Sequence, residues 1–193
     1  MQQGKIITLS GISGIGKSFL KSYILENNSD FQSLVSVTTR NKRKHEVEGI
    51  DKFFYSLEEF EKENRSGNLC VVNEVFGNWY AYKKSQIKLC GCGINLITEL
   101  FYKNVCEFKA EFANVLSIYV LPVDIERTKS ELQLRNLESS DLTRRIEDID
   151  DELAFFYNNR NLFDIVITND YTENTCLLLQ RLISEKIRSV QNV

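Results

Sequence analysis

The segment Gly11-Ile12-Ser13-Gly14-Ile15-Gly16-Lys17-Ser18 satisfies the pattern G-x-x-x-x-G-K-[ST]. Each residue type in it has a chemical reason. Glycines let the backbone curl with its N–H groups turned inward on an anion, and a helix beginning at the end of the loop adds its positive end. Lys17 is spaced to reach the β- and γ-phosphates of a bound triphosphate, and Ser18 to ligate Mg²⁺. The predicted cradle is therefore Gly11, Ser13, Gly14, Ile15, Gly16, Lys17, Ser18 and Phe19. A magnesium site of this kind also wants a carboxylate at the end of a neighbouring buried strand, and Ile94-Asn95-Leu96-Ile97-Thr98 runs into Glu99. A helix-start or surface carboxylate is the alternative for Glu99.

A loop of this type works only between a buried strand and a helix. Ile6-Ile7-Thr8-Leu9 reads as the strand, and the helix after Ser18 carries Phe19, Leu20, Tyr23 and Ile24 on one face. Further β-branched runs, Ile94 to Thr98, Val115 to Val120 and Ile165 to Thr168, alternate with helical patterns and predict a parallel sheet covered on both faces. Asp124 and Thr172 are candidate caps for two of the helices. From Val35 to Ile87 the pattern changes to short strands, glycine turns and clustered aromatics, which predicts a small inserted subdomain. Within it, Ser56 and Glu59 form a capping box ahead of Phe60. A polar break from Arg135 to Thr143 reads as a mobile flap.

The chain has 193 residues, 42% of them hydrophobic and 26% charged, with a net charge of −3, which fits one globular domain and excludes a polycationic nucleic-acid binder. No apolar run approaches the roughly 20 residues needed to cross a bilayer, and the expected location is the cytoplasm. Five cysteines lack the paired spacing of a zinc site and read as small reduced hydrophobes.

Taken with the loop, several stretches resemble the guanylate kinases over nearly the whole chain. They are Ser36-Val37-Thr38-Thr39-Arg40 with Arg43, Glu46 to Asp51, Glu58-Glu59-Phe60, Glu74 to Tyr80, Leu121-Pro122, Arg135, Arg144-Arg145, and Val166-Ile167-Thr168-Asn169-Asp170. The resemblance implies an α/β P-loop kinase. Its parallel core would comprise residues 1–34, 88–134 and 147–193, with an inserted mixed α/β acceptor-binding subdomain at 35–87 and a helical lid at 135–146. It implies ATP and Mg²⁺ as cofactors and a small nucleotide as partner, with neither nucleic acid nor membrane, and it leaves monomer or homodimer open. Lys17, Arg135 and Arg145 would be catalytic and Asn169 would join the donor site. Ser36, Arg40, Arg43, Lys52, Val71, Asn73, Tyr80 and Glu99 would hold the acceptor, and Ser18 and Glu99 the metal.

The departures from the family pattern concentrate where the base is read. The family glutamate that accepts from guanine N1 and N2 corresponds to Val71, a family Asp-Tyr is Asp51-Lys52, and the second acid of its Asp-x-Asp is Phe101. Valine accepts no hydrogen bond, so guanine would enter with donors unpaired, at about 1–3 kcal/mol each. The expectation is phosphoryl transfer to a nucleoside monophosphate that is GMP or carries another base. Strand alternation puts Asn73 on the same face as Val71, where it could read such a base. The alternatives are a same-fold kinase for another phosphorylated small molecule and a catalytically weak binding module.

Overall fold

The computed structural model describes residues 3–75, 77–134 and 139–189. In chain order the elements are β1 (Ile6–Ser10), α1 (Lys17–Asn27), β2 (Phe31–Ser33), β3 (Ser36–Thr38), β4 (Phe53–Phe54), α2 (Leu57–Arg65), β5 (Leu69–Val75), β6 (Asn78–Lys83) and α3 (Lys84–Ile87). They continue with β7 (Asn95–Glu99), α4 (Val105–Glu111), β8 (Val115–Pro122), α5 (Ile125–Gln133), α6 (Ser139–Asn158), β9 (Ile165–Asn169) and α7 (Glu173–Ser189).

Five strands form a parallel sheet in the order β2-β7-β1-β8-β9, flanked by helices. Every residue of β1 is buried, as a strand covered on both faces requires. In this order the chain leaves β1 for one edge and later crosses to the other, so the carboxyl end of β1 is the switch point where open parallel sheets bind ligands. The glycine loop begins there.

A separate mixed sheet runs β4-β3-β6-β5. Its pairings set two faces. Val37 opposite Ala81 looks toward a cluster of Phe60, Leu69 and Val72, closed by α2. On the other face stand Ser36 and Tyr82 in one row, Thr38, Tyr80 and Asn73 in the next. The capping box forms as its residues predict: Glu59 N–H donates to Ser56 Oγ (3.2 Å) and Ser56 N–H to Glu59 Oε2 (2.7 Å).

The chain folds as two compact units: residues 1–6, 30–98 and 106–115 make the first, and residues 7–29, 99–105 and 116–193 the second. In the second unit Tyr119 stacks on Phe156 at 4.2 Å and meets Phe163 edge-on at 4.9 Å. Burial pushes the thiols of Cys70 and Cys90 up to about 11, which suits inert core residues.

Three sequence expectations need correction. Residues 139–143, expected in a polar flap, belong to α6, where Leu142, Ile146, Ile149 and Leu153 give the polar stretch an apolar stripe at helical spacing. The Thr172 hydroxyl, expected as a helix cap, donates to Asp170 Oδ1 at 2.7 Å, and the Thr175 hydroxyl joins it there, also at 2.7 Å. Phe19, expected on the buried face of α1, is 60% exposed, and Leu20 and Ile24 carry that face.

Candidate active site

The glycine loop lies wholly in the second unit. Gly11 has φ +141°, and a Cβ there would sit 2.4 Å from the Val120 carbonyl oxygen. At Gly16, φ is +86° and a Cβ would fall 2.8 Å from Asn169 Nδ2. Side chains are excluded at both positions on conformation and on space, which is why the motif demands glycine. Gly16 is also the N-cap of α1, no side chain among the described residues caps that helix, and its first turn holds no acid. Its leading N–H groups are therefore donors suited to an external anion.

The loop is tied from outside by side chains distant in sequence. Asn169, buried at the end of β9, donates from Nδ2 to the Ile15 carbonyl (2.7 Å) and accepts the Tyr171 N–H at Oδ1 (2.9 Å). Both ends of this amide thus serve the loop's shape. Tyr171 has φ +62°, a costly conformation for an aromatic residue. Its hydroxyl reaches the Gly14 carbonyl at 3.2 Å and Thr128 Oγ1 at 3.0 Å.

Lys17 Nζ donates to the carbonyl oxygens of Gly11 and Ile12, so the ammonium is folded back along the loop. From α6, Arg145 reaches in with Nη1 2.9 Å from Ser13 Oγ, while its neighbour Arg144 is exposed. Glu152 lies seven residues further along the same helix. The sequence Arg145, Ile149, Glu152, Phe156 steps by four, three and four, so one stripe presents the guanidinium and a carboxylate. Glu152 is 6% exposed, and its carboxylate faces the Gly11 N–H. Burial pushes it up to about 7, against the pull of Lys17, the Gly11 N–H and Lys103, with Asp148 adding to the rise. Sequence reasoning misses Glu152. The available signal is an acid at an apolar-stripe position within an acid-rich helix. Arg135 lies outside the described residues.

Ser18 is an exposed hydroxyl in the first turn of α1, and Glu99 ends β7. Among the described residues no group of three His, Cys, Asp or Glu side chains could hold a metal ion. A hydroxyl and one carboxylate are hard oxygen donors too few to cage an ion, and they fit Mg²⁺ that arrives with phosphate oxygens and water in its shell.

The acceptor candidates lie in the first unit, apart from Glu99. Arg40 forms a two-point ion pair with Glu46, Nη1–Oε2 3.0 Å and Nη2–Oε1 2.6 Å, and the same carboxylate accepts the Arg43 N–H at 2.8 Å. Burial works against both charges, and the hydrogen bonds and charges around each group together outweigh it. Arg40 is raised, with Tyr80 contributing, and Glu46 is lowered. Spacing alone assigns Glu46 no role; in the fold it fixes the guanidinium plane of Arg40 and the turn that carries Arg43. Lys52 Nζ donates to Ser36 Oγ (2.9 Å) and lies 5.7 Å from the Tyr80 ring centroid. Ser36, Arg40, Lys52 and Tyr80 are thus neighbours.

Val71 and Asn73 do not follow simple alternation. The register slips between Cys70 and Asn73, with Cys70 opposite Tyr82 and Asn73 opposite Tyr80, so a bulge absorbs Val71 and Val72. Val71 takes φ +48°, a rare conformation for a β-branched residue. Cys70, not Val71, shares the face of Asn73. Asn73 Nδ2 donates to the Val71 carbonyl at 3.1 Å, and its Oδ1 is buried with no partner among the described residues.

A family model for guanylate kinase matches residues 3–186. The chain is 32% identical over 198 residues to the guanylate kinase of Mesomycoplasma hyopneumoniae strain J, covering 97% of this chain and 98% of that one. It is 35% identical over 185 residues to the guanylate kinase of Mycoplasmoides gallisepticum, covering 94% and 93%. Among solved structures, guanylate kinase from Anaplasma phagocytophilum superposes with a TM-score of 0.75 at 25% identity, covering 96% of this chain and 87% of that one. With the nucleotide loop, the parallel core and these matches in agreement, the chain belongs to the guanylate kinase family and is a nucleoside-monophosphate kinase.

Proposed function

We propose that the protein transfers the γ-phosphoryl group of ATP, as its magnesium complex, to the phosphate of a nucleoside monophosphate. An acceptor oxygen forms a bond to the γ-phosphorus while the bond to the β–γ bridging oxygen breaks, leaving ADP and a nucleoside diphosphate. The acceptor oxygen is already ionised near neutral pH, so the reaction needs positioning and charge neutralisation and no general base. In this reading Lys17 leaves the loop carbonyls for the β- and γ-oxygens, and Ser18 and Glu99 hold Mg²⁺, which neutralises charge on the phosphate chain. Arg145 offsets charge on the transferring group. Ser36, Arg40, Arg43 and Tyr80 hold the acceptor phosphate, and Lys52 meets further negative charge. The observation that carries this is Arg145, brought from 132 residues away onto Ser13 of the glycine loop.

The base is GMP's guanine or an altered one, and the altered reading is the better supported. Val71 offers no acceptor side chain, whereas Asn73 Oδ1, without a partner among the described residues, offers one. A single carbonyl acceptor suits a base with one donor at that edge better than guanine with its N1 and N2 pair. Initial rates with AMP, GMP, CMP, UMP and their deoxy forms at fixed Mg·ATP test both parts. Turnover of one non-guanine monophosphate above the others is expected. GMP ahead by a wide margin would overturn the altered base, and no turnover with any of them would overturn the acceptor class.

A further inference from the structure

We propose that Arg127, seated over the ring of Tyr171, is the platform on which the base of the donor nucleotide stacks. This rests on reading the glycine loop as a triphosphate cradle, and it specifies the donor as a nucleoside triphosphate with a broad base, purine ahead of pyrimidine.

Tyr171 forms part of the outer wall of the loop. Its ring atoms lie 3.7 Å from the point where a Cβ on Gly16 would stand, and its hydroxyl bonds the Gly14 carbonyl. The ring is held in a strained left-handed backbone by Asn169 Oδ1 and Thr128 Oγ1, so its position is determined from several directions. Over it sits the Arg127 guanidinium, with its central carbon 4.5 Å from the ring centroid and Nη1 3.3 Å from the Asp170 carbonyl oxygen.

Helix electrostatics do not account for this arginine. Arg127 is in the first turn of α5, where its own N–H is capped by Asp124 Oδ1 at 3.3 Å. A cation is disfavoured at that end of a helix, and among the described residues no carboxylate pairs with it. One side of the guanidinium is committed to Tyr171, yet the residue is exposed. A guanidinium is planar and weakly hydrated, and it stacks on aromatic faces. A base on its outer side would make a third layer, on the same wall of the loop that Tyr171 builds.

The test separates the base from the phosphates. Binding of Mg·ATP and of magnesium tripolyphosphate, which has the phosphate chain without a base, is measured by calorimetry on the unmodified protein and on Arg127→Ala and Arg127→Lys. Steady-state KM and kcat for ATP and CTP are measured alongside. Alanine should weaken Mg·ATP binding about tenfold, the scale of one lost base stack, with the loss falling on KM. Tripolyphosphate affinity should hold, and the gap between ATP and CTP should narrow. Lysine keeps the charge without the plane, so it should recover little. Equal loss for ATP and tripolyphosphate would make Arg127 a scaffold of the loop and overturn the platform, as would unchanged ATP binding or full recovery by lysine. If neither ligand binds the unmodified protein, the cradle reading itself fails.

Discussion

The glycine loop and the face of the four-stranded sheet both handle phosphate in our reading, yet they are built differently. The loop offers an anion backbone N–H groups, and the side chains tied to it, Asn169 and Tyr171, are spent on the shape of the loop itself. The sheet face offers side chains: a guanidinium aimed by Glu46, an ammonium on Ser36 and an amide oxygen with no partner among the described residues. Backbone groups are the same in every sequence, so the loop can serve any triphosphate. Selectivity among acceptors has to come from the sheet face, where changing one residue type changes what is accepted.

The largest effect should come from the loop. Lys17→Met removes the cation expected to follow the phosphates, and kcat should fall about 10³-fold or more while the fold persists. Retention of turnover would undo the comparison at its base. Arg40→Met should act on the other side. The acceptor KM should rise about 100-fold, as expected when a two-point charged contact is lost, with the KM for Mg·ATP nearly constant. Glu46→Gln, which loosens the arginine without removing it, should raise the acceptor KM about tenfold. Movement of both KM values together in either variant would mean that the regions are not separable in function.

The same contrast explains what the sequence disclosed. The loop was legible because its glycines, lysine and serine are fixed by local geometry over eight consecutive positions. Four of the five parallel strands were legible because burial leaves β-branched runs, whereas β2, a half-exposed Phe31-Gln32-Ser33, carries no such run; the Ser56–Glu59 cap was legible because it closes within one turn. Glu152, Arg127 and Tyr171 were not, since their roles depend on which helix face returns to the loop after a long excursion in sequence. Nor was the bulge at Val71 and Val72. Two adjacent valines read as ordinary strand, and only the pairing with β6 reveals the extra residue.

Glu152 sharpens the comparison through pH. A carboxylate pushed up to about 7 by burial binds its proton more tightly in the native state than in the unfolded chain, where glutamates titrate near 4.3. The native state therefore holds more protons between those values, and stability falls as pH rises through that window. Its contribution is full below about pH 4 and lost above about pH 7, and the difference reaches roughly 3–4 kcal/mol at most. Glu152→Gln keeps the shape and polarity of the side chain and removes the titration. Asp148, Lys103 and Lys17 face the same group, so the informative quantity is the stability of the parent minus that of the variant, from denaturant melts at about pH 4.5 to 8. That difference should decline with pH. A flat difference would mean that Glu152 does not hold its proton in the folded protein.

The smallest expected effect is at Asn73, where function and stability should move in opposite directions. Its Oδ1 is a buried acceptor with no partner among the described residues, which costs about 1–3 kcal/mol of desolvation, while its Nδ2 bond to the Val71 carbonyl contributes about 1 kcal/mol. Asn73→Leu removes both, so the melting temperature should stay level or rise by a few degrees. If the oxygen reads the acceptor base, the same change deprives the base of its hydrogen bond, and the KM of the preferred monophosphate should rise about tenfold with preference among bases flattened. Stability that holds while selectivity flattens would identify a polar group retained at the expense of packing because it recognises a ligand. If the melting temperature rises and the acceptor profile is untouched, Asn73 is a clasp for the bulge and base reading belongs to another residue on the sheet face.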